Sequence, residues 1–183
     1  MNLEDPREYR ALGYLIDGTP FFVRALRAWD RHAVMNLFNR SSQQSRYFRY
    51  FETKKSLSDA ELDYYTRLDF YRHVALAAEA PDEEGIIAVG RYIEIQPPTE
   101  PRRAEVAFLV RDDFQGRGVA TQLLKHLIRI ARDNGITVFE AEMLPSNTKM
   151  IEVFDHSGYE LKRSREQDSV RVVFPIHDDR IPF

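Results

Sequence analysis

Apolar positions along this chain switch between the two-residue period of a strand and the longer period of a helix. Pro20 opens Phe21-Phe22-Val23-Arg24-Ala25-Leu26-Arg27, a stretch of strand length. Asp30 then stands as an N-cap before Val34, Leu37 and Phe38, which share one face of a helix running to about Asn39. Ser58 and Glu61 have the spacing of a capping box and predict a second helix through Leu62, Tyr65 and Leu68. His73 to Glu79 and Ile86 to Ile95 read as strands joined by the turn Pro81-Asp82-Glu83-Glu84-Gly85. After Pro97-Pro98 and Pro101 comes a strand from Ala104 to Val110. A long amphipathic helix follows from about Gly118 to Asn134, with Gly135 as its stop. A strand from Thr137 to Met143, a helix from about Asn147 to His156, and strands near Tyr159 and over Val170 to Phe174 complete the pattern.

Strands and helices alternate, yet the tight connection at Pro81–Gly85 argues against a wholly parallel sheet. An α/β (α+β) arrangement, with a mixed sheet and helices on both faces, accommodates both facts. Residues 1–20 are polar and mixed and are expected to form an extension tied loosely to a domain over 21–183. At 183 residues and 43% hydrophobic side chains, the chain can bury one substantial core, and no repeat or linker divides it. No continuous apolar run exceeds five residues, the length of Val106 to Val110, which is far short of a membrane span, and Glu4 and Asp5 stand where a signal peptide would be basic and then apolar. A cytoplasmic protein with no membrane partner is expected. The net charge of −3 offers nothing for a dedicated nucleic-acid binder. The absence of cysteine excludes disulfides, thiolate metal sites and a covalent cysteine intermediate.

The candidate chemistry lies between Ala104 and Ala120. An apolar strand ends at Val110, and Gln115-Gly116-Arg117-Gly118-Val119-Ala120 leads into the long helix. Two glycines one residue apart let backbone N–H groups approach a ligand, and the helix N-terminus adds partial positive charge, so the turn suits a phosphate or pyrophosphate. A tight connection that merely uses glycine is the alternative. No Gly-Lys-Ser/Thr follows, and the third glycine of a dinucleotide fingerprint is missing.

Gln115-x-x-Gly118-x-Ala120, placed after Glu105-Val106-Ala107-Phe108-Leu109-Val110, resembles the acyl-CoA-binding motif of the GNAT superfamily of N-acetyltransferases. Leu144-Pro145-Ser146-Asn147, Met150, Val153-Phe154 and Gly158-Tyr159 resemble that superfamily's second signature, so the likeness covers about residues 104–160. Arg24-Ala25-Leu26-Arg27, Asp30 and Ser45-Arg46-Tyr47-Phe48-Arg49-Tyr50-Phe51 are similar to one branch, the GNAT domains of bacterial protein lysine acetyltransferases that act on acyl-CoA synthetases.

The resemblance implies a mixed, mostly antiparallel sheet of six or seven strands that splays open between its fourth and fifth strands, with acyl-CoA in the V. The pantetheine arm would pair with backbone groups of Phe108, Leu109 and Val110 as an added strand. The pyrophosphate would take N–H groups from Gln115, Gly116, Arg117, Gly118, Val119, Ala120 and Thr121, and Asn147 would reach the pantetheine. Glu105 falls where several protein-acetylating members carry a catalytic glutamate; a surface glutamate on a strand is the bland alternative. An amine with a pKa of about 10.4 must lose a proton before it can attack, and a carboxylate can take it. Many members protonate the departing sulfur with a tyrosine where this chain has Phe154. Thiols of pKa about 8.5 can leave as thiolates, so that loss need not be fatal. Tyr159 falls at a core aromatic position.

The histidines, His32, His73, His126, His156 and His177, lack metal-ligand spacing, and no metal is expected. Ser41, Ser42 and Ser45 read as caps rather than nucleophiles. Residues 21–60 hold eight Lys or Arg against three acids, with arginines and aromatics interleaved from Arg46 to Phe51. RNA stacking is one reading of that run, and a partly buried acceptor side is the other, favoured one. Together these features imply an acetyl-CoA-dependent N-acetyltransferase with direct transfer, a protein lysine (on an acyl-CoA synthetase, for example) as preferred acceptor, and a homodimer left open. The alternatives are acetylation of a small amine and a silent module that senses acyl-CoA.

Overall fold

The computed structural model describes residues 5–176. The described elements are β1 (Arg10–Tyr14), β2 (Pro20–Ala25), α1 (Arg31–Arg40), α2 (Gln43–Tyr50), α3 (Asp59–Thr66), β3 (His73–Glu79), β4 (Ala88–Glu94), β5 (Arg103–Val110), α4 (Val119–Asp133), β6 (Val138–Met143), α5 (Thr148–Asp155), β7 (Lys162–Glu166) and β8 (Ser169–Pro175). The strands form one sheet in the order β1-β2-β3-β4-β5-β6-β8-β7. Only β5 and β6 run parallel, because α4 carries the chain back between them; every other neighbouring pair is antiparallel.

Helices cover both faces, as the alternating pattern predicts. On one face, α4 lays down a stripe of Val119, Ala120, Leu123, Leu124, Leu127, Ile128, Ile130 and Ala131, the spacing that one side of a helix presents. It packs on Val74, Leu76, Val106 and Phe108 from the sheet, with Phe154 of α5 beside it. Gly135 ends the helix at φ +78°, a conformation that costs glycine little. On the other face, α1, α2 and α3 close over a second core that includes Leu37, Phe38, Leu62, Ala75, Ala77, Val89 and Leu109. That core takes residues from β3, β4 and β5 but none from β6, β7 or β8.

Three expectations need correcting. The sheet has eight strands, not six or seven, because residues before 20 are not a loose extension: β1 pairs along its length with β2, and Tyr9 and Leu15 are buried. The parting of the sheet therefore falls between the fifth and sixth strands. Asp30 does not cap α1 with its side chain; its buried carboxylate takes the Arg27 N–H at 2.7 Å and both terminal nitrogens of Arg24 at 2.8 and 2.9 Å. Of the serines expected to cap, Ser42 does so: it opens α2, and its Oγ accepts from the Ser45 N–H at 3.1 Å. The Ser58–Glu61 capping box forms, with Glu61 accepting from the Ser58 N–H at 2.8 Å.

Candidate functional site

β5 pairs with β4 from Ala104 to Val110, but with β6 only through Arg103, Ala104 and Glu105. Beyond Glu105 the two parallel strands part, and the β6 side of Phe108, Leu109 and Val110 is left without a ladder partner. A cleft of about 640 Å³ opens there. Of the residues expected to hold acyl-CoA, Phe108, Leu109, Val110, Gln115, Gly116, Gly118, Val119, Ala120, Thr121 and Asn147 line it. Arg117 and Glu105 do not.

The loop after β5 is shaped for backbone donors. Gly116 and Gly118 sit at φ +71° and +92°, in the left-handed region. A side chain at Gly116 would meet nothing within 4 Å, so the space above that backbone is open. No side chain caps α4, and the N–H groups of its first turn, which a helix cannot satisfy internally, border the cleft. The Gln115 amide braces the loop, donating to the Ser45 Oγ at 2.9 Å and the Val110 carbonyl at 3.1 Å, while its Oε1 accepts from Lys149 Nζ at 3.2 Å. Arg117 turns away from the cleft, pairing with Asp17 at 2.8 Å and lying over the Phe114 ring, and its carbonyl accepts from the Ile16 N–H.

Sequence reasoning missed the parts that hold this loop in place. The Asp112 carboxylate accepts from the Ser42 N–H (2.8 Å), the Ser42 Oγ (2.7 Å) and the Ser45 Oγ (2.8 Å), fastening the loop to the start of α2. Burial works against its charge, but those bonds win and hold its pKa below the usual value. The turn between β1 and β2 grips the same loop through Ile16 and Asp17. The only signal for either brace was the Ser42-x-x-Ser45 capping pattern.

On α5, Asn147 faces the cleft and caps its own helix, its Oδ1 accepting from the Met150 N–H at 3.4 Å. Phe154 is buried between Phe108 and Phe174. Tyr159 packs on Phe174, and its hydroxyl accepts from Arg132 at 3.1 Å, as the reading of a core aromatic implies. None of the nine tyrosines lines the cleft.

Glu105 is the last paired residue before the strands part. It lies on the α2 side of the sheet with Ala107 and Leu109, and directly beside Glu140 of β6. Its side chain reaches solvent, yet partial burial desolvates it and raises its pKa; Arg49 of α2 opposes the rise, and Glu142 and Glu140 add to it. Arg49 also lines the cleft and lies over the Tyr50 ring, while Arg46 is spent on the Phe38 ring. The arginine–aromatic run therefore packs partly into the protein.

His73 and His126 are half-buried, and desolvation lowers the pKa of each to about 4. His32 and His156 are exposed, and His177 lies outside the described residues. Among the described residues no group of three or more His, Cys, Asp or Glu is placed to hold a metal ion, and no helix is long and apolar enough to cross a membrane.

Residues 32–159 match the acetyltransferase (GNAT) family. The GNAT domain of S. lividans PAT superimposes with a TM-score of 0.83 at 42% identity, covering 91% of this chain and 96% of that one. Acetyltransferase PA5475 of Pseudomonas aeruginosa is 30% identical over 161 residues, which is 87% of this chain and 84% of the relative. Acetyltransferase Pat of Mycolicibacterium smegmatis is 29% identical over 77% of this chain, which spans only 41% of that relative's length.

Proposed function

The chain belongs to the GNAT family of acetyltransferases and is an acetyl-CoA-dependent N-acetyltransferase, and from that premise we propose that its acceptor is a lysine side chain of a protein, deprotonated by Glu105. The observation that carries the reading is the open acceptor side. Glu105 is the last β5 residue paired with β6 before the strands part, and the helices that cover β3 to β5 leave the adjoining face of β6, β8 and β7 outside their core. A lysine side chain presented by a folded partner has room to approach there. The likeness to PAT supports the same choice.

In this reading acetyl-CoA lies in the cleft, with its pantetheine against Phe108, Leu109 and Val110 and its pyrophosphate on the N–H groups from Gly116 to Thr121, because the Gln115 N–H already donates to the Asp112 carbonyl at 3.3 Å. Because Gln115 already donates to the Val110 carbonyl, the pantetheine shares that acceptor. Asn147 adds a polar contact from α5. The ammonium of the acceptor gives one proton to Glu105, and the freed nitrogen lone pair attacks the thioester carbonyl carbon. When the tetrahedral adduct collapses, the C–S bond breaks and its electrons leave on sulfur. The second nitrogen proton goes to the CoA thiolate directly or through water. With Phe154 buried and no tyrosine in the cleft, no phenol supplies it. The proton held by Glu105 returns to solvent.

The test is Glu105→Gln. Turnover falls by about 10²–10⁴-fold while the affinity for acetyl-CoA is kept. Radiolabelled acetyl-CoA with a bacterial lysate then shows the acceptor class: label on protein that is lost in the variant supports the reading, and label confined to small amines replaces it. Because Glu105 works ionised and its pKa is raised, activity is lost as pH falls through a value above the ordinary carboxylate range of about 4.3.

A further inference from the structure

β6 and β8 carry a charge arrangement that the transfer chemistry above leaves unused. Arg171 of β8 lies directly across from Glu142 of β6 in the antiparallel register, the position from which a cross-strand ion pair would form. Its guanidinium leans away. Two of its nitrogens bond the buried carboxylate of Glu140, and the third reaches Glu166 at 3.5 Å. Glu142 is left with a neutral donor, the Ser169 Oγ, on one oxygen. It is exposed, on the Glu105 side of β6, where that strand separates from β5. The charges facing Glu105 are Arg103 on its own strand, Arg91 of β4, Arg49 of α2, Glu140 and Glu142 of β6, and Arg171 of β8. Arg91 is occupied by the Tyr65 carbonyl, the Tyr65 ring and His73, and Arg171 by Glu140 and Glu166.

We propose that Glu142 receives the acceptor amine as its ammonium and holds it beside Glu105 until the proton is taken. This rests on the amine-acetylation reading above. Two carboxylates of one chemistry thereby acquire different tasks. Glu142, open to water and hydrogen-bonded by a hydroxyl, binds the cation. Glu105, desolvated, exchanges the proton. The residue therefore selects acceptors that arrive positively charged. It is a positioning residue for the reaction and leaves the cofactor untouched, since it does not line the cleft.

The test compares a lysine-containing peptide with hydroxylamine, which is uncharged at neutral pH, in the full chain. With no cysteine in the protein, a thiol reagent reads only the CoA released, and the direct reaction of hydroxylamine with the thioester is subtracted from a protein-free control. Glu142→Gln is expected to raise the KM for the peptide about tenfold, the scale of a charge-assisted hydrogen bond, with kcat little changed. The KM for hydroxylamine and the affinity for acetyl-CoA stay as they were, and Glu142→Asp recovers part of the peptide affinity. Removing a like charge near Glu105 also moves the acid limb of the peptide profile to lower pH. Equal losses with both acceptors, or no change in peptide KM, overturn the assignment. If the unsubstituted protein releases CoA to neither acceptor, the amine-acetylation reading falls and takes this proposal with it.

Discussion

Tyr9 and His126 show how one partly buried pair ties stability to pH. The Tyr9 hydroxyl and the His126 Nδ1 are 2.5 Å apart, under the first strand, and burial holds the imidazole neutral with a pKa of about 4. In the unfolded chain the ring returns to about 6.5. As pH falls below 6.5 the unfolded state takes up a proton that the folded state refuses, so stability is full above 6.5, declines down to about 4, and is flat below. The shift is worth at most about 3 kcal/mol. His126→Gln is expected to narrow the difference between urea midpoints measured at pH 7 and pH 4.5, with His73 accounting for part of what remains. An unchanged difference would show that His126 titrates normally in the fold. Spacing alone marked both histidines as non-ligands. It gave no sign of their burial, because the partners of His126 and His73, Tyr9 and Arg91, lie 117 and 18 residues away.

At the scale of elements, the cleft-side loop is held by α2 rather than by its own sequence. Asp112→Ala removes the three acceptor contacts to Ser42 and Ser45, and the Gln115 brace loses its anchored partner. Acetyl-CoA affinity is expected to fall about tenfold, as loss of charge-assisted hydrogen bonds does, measured by calorimetry. Affinity equal to that of the unsubstituted protein would mean that the glycines set the loop by themselves. The glycine spacing was legible because a left-handed backbone at 116 and 118 leaves a mark in composition. The helix that braces it was not: in Gln43–Tyr50 only Ser45 is fully buried, so the apolar stripe that announces α1 and α4 is missing. The apolar and helical patterns placed β3, β5, α3, α4 and α5 within a few residues: β3 is a continuous apolar run because both of its faces are buried, and α4 buries one definite stripe.

At the scale of the whole molecule, β1 is where local pattern failed. Arg10–Tyr14 exposes Arg10, Leu12 and Tyr14 on one side and buries only Gly13, so its strand character comes from pairing with β2 and from α4 beneath. Gln122 of α4 bonds the backbone of Tyr14 in both directions, which binds the N-terminal edge to the helix whose first turn borders the cleft. Gln122→Ala together with Asp17→Ala is expected to cost about 1–3 kcal/mol in urea unfolding and to weaken acetyl-CoA binding as well. A loss of stability with no loss of affinity would separate the edge from the cleft. The three-pair ladder between β5 and β6 has a wider consequence. If acetyl-CoA fills the gap beyond Glu105, the substrate finishes a sheet that the chain by itself leaves incomplete, and occupancy then stabilises the fold. At a free concentration a hundred times its Kd, that amounts to about 2.7 kcal/mol. The supply of acetyl-CoA would then govern how long each molecule survives proteolysis as well as how fast it works.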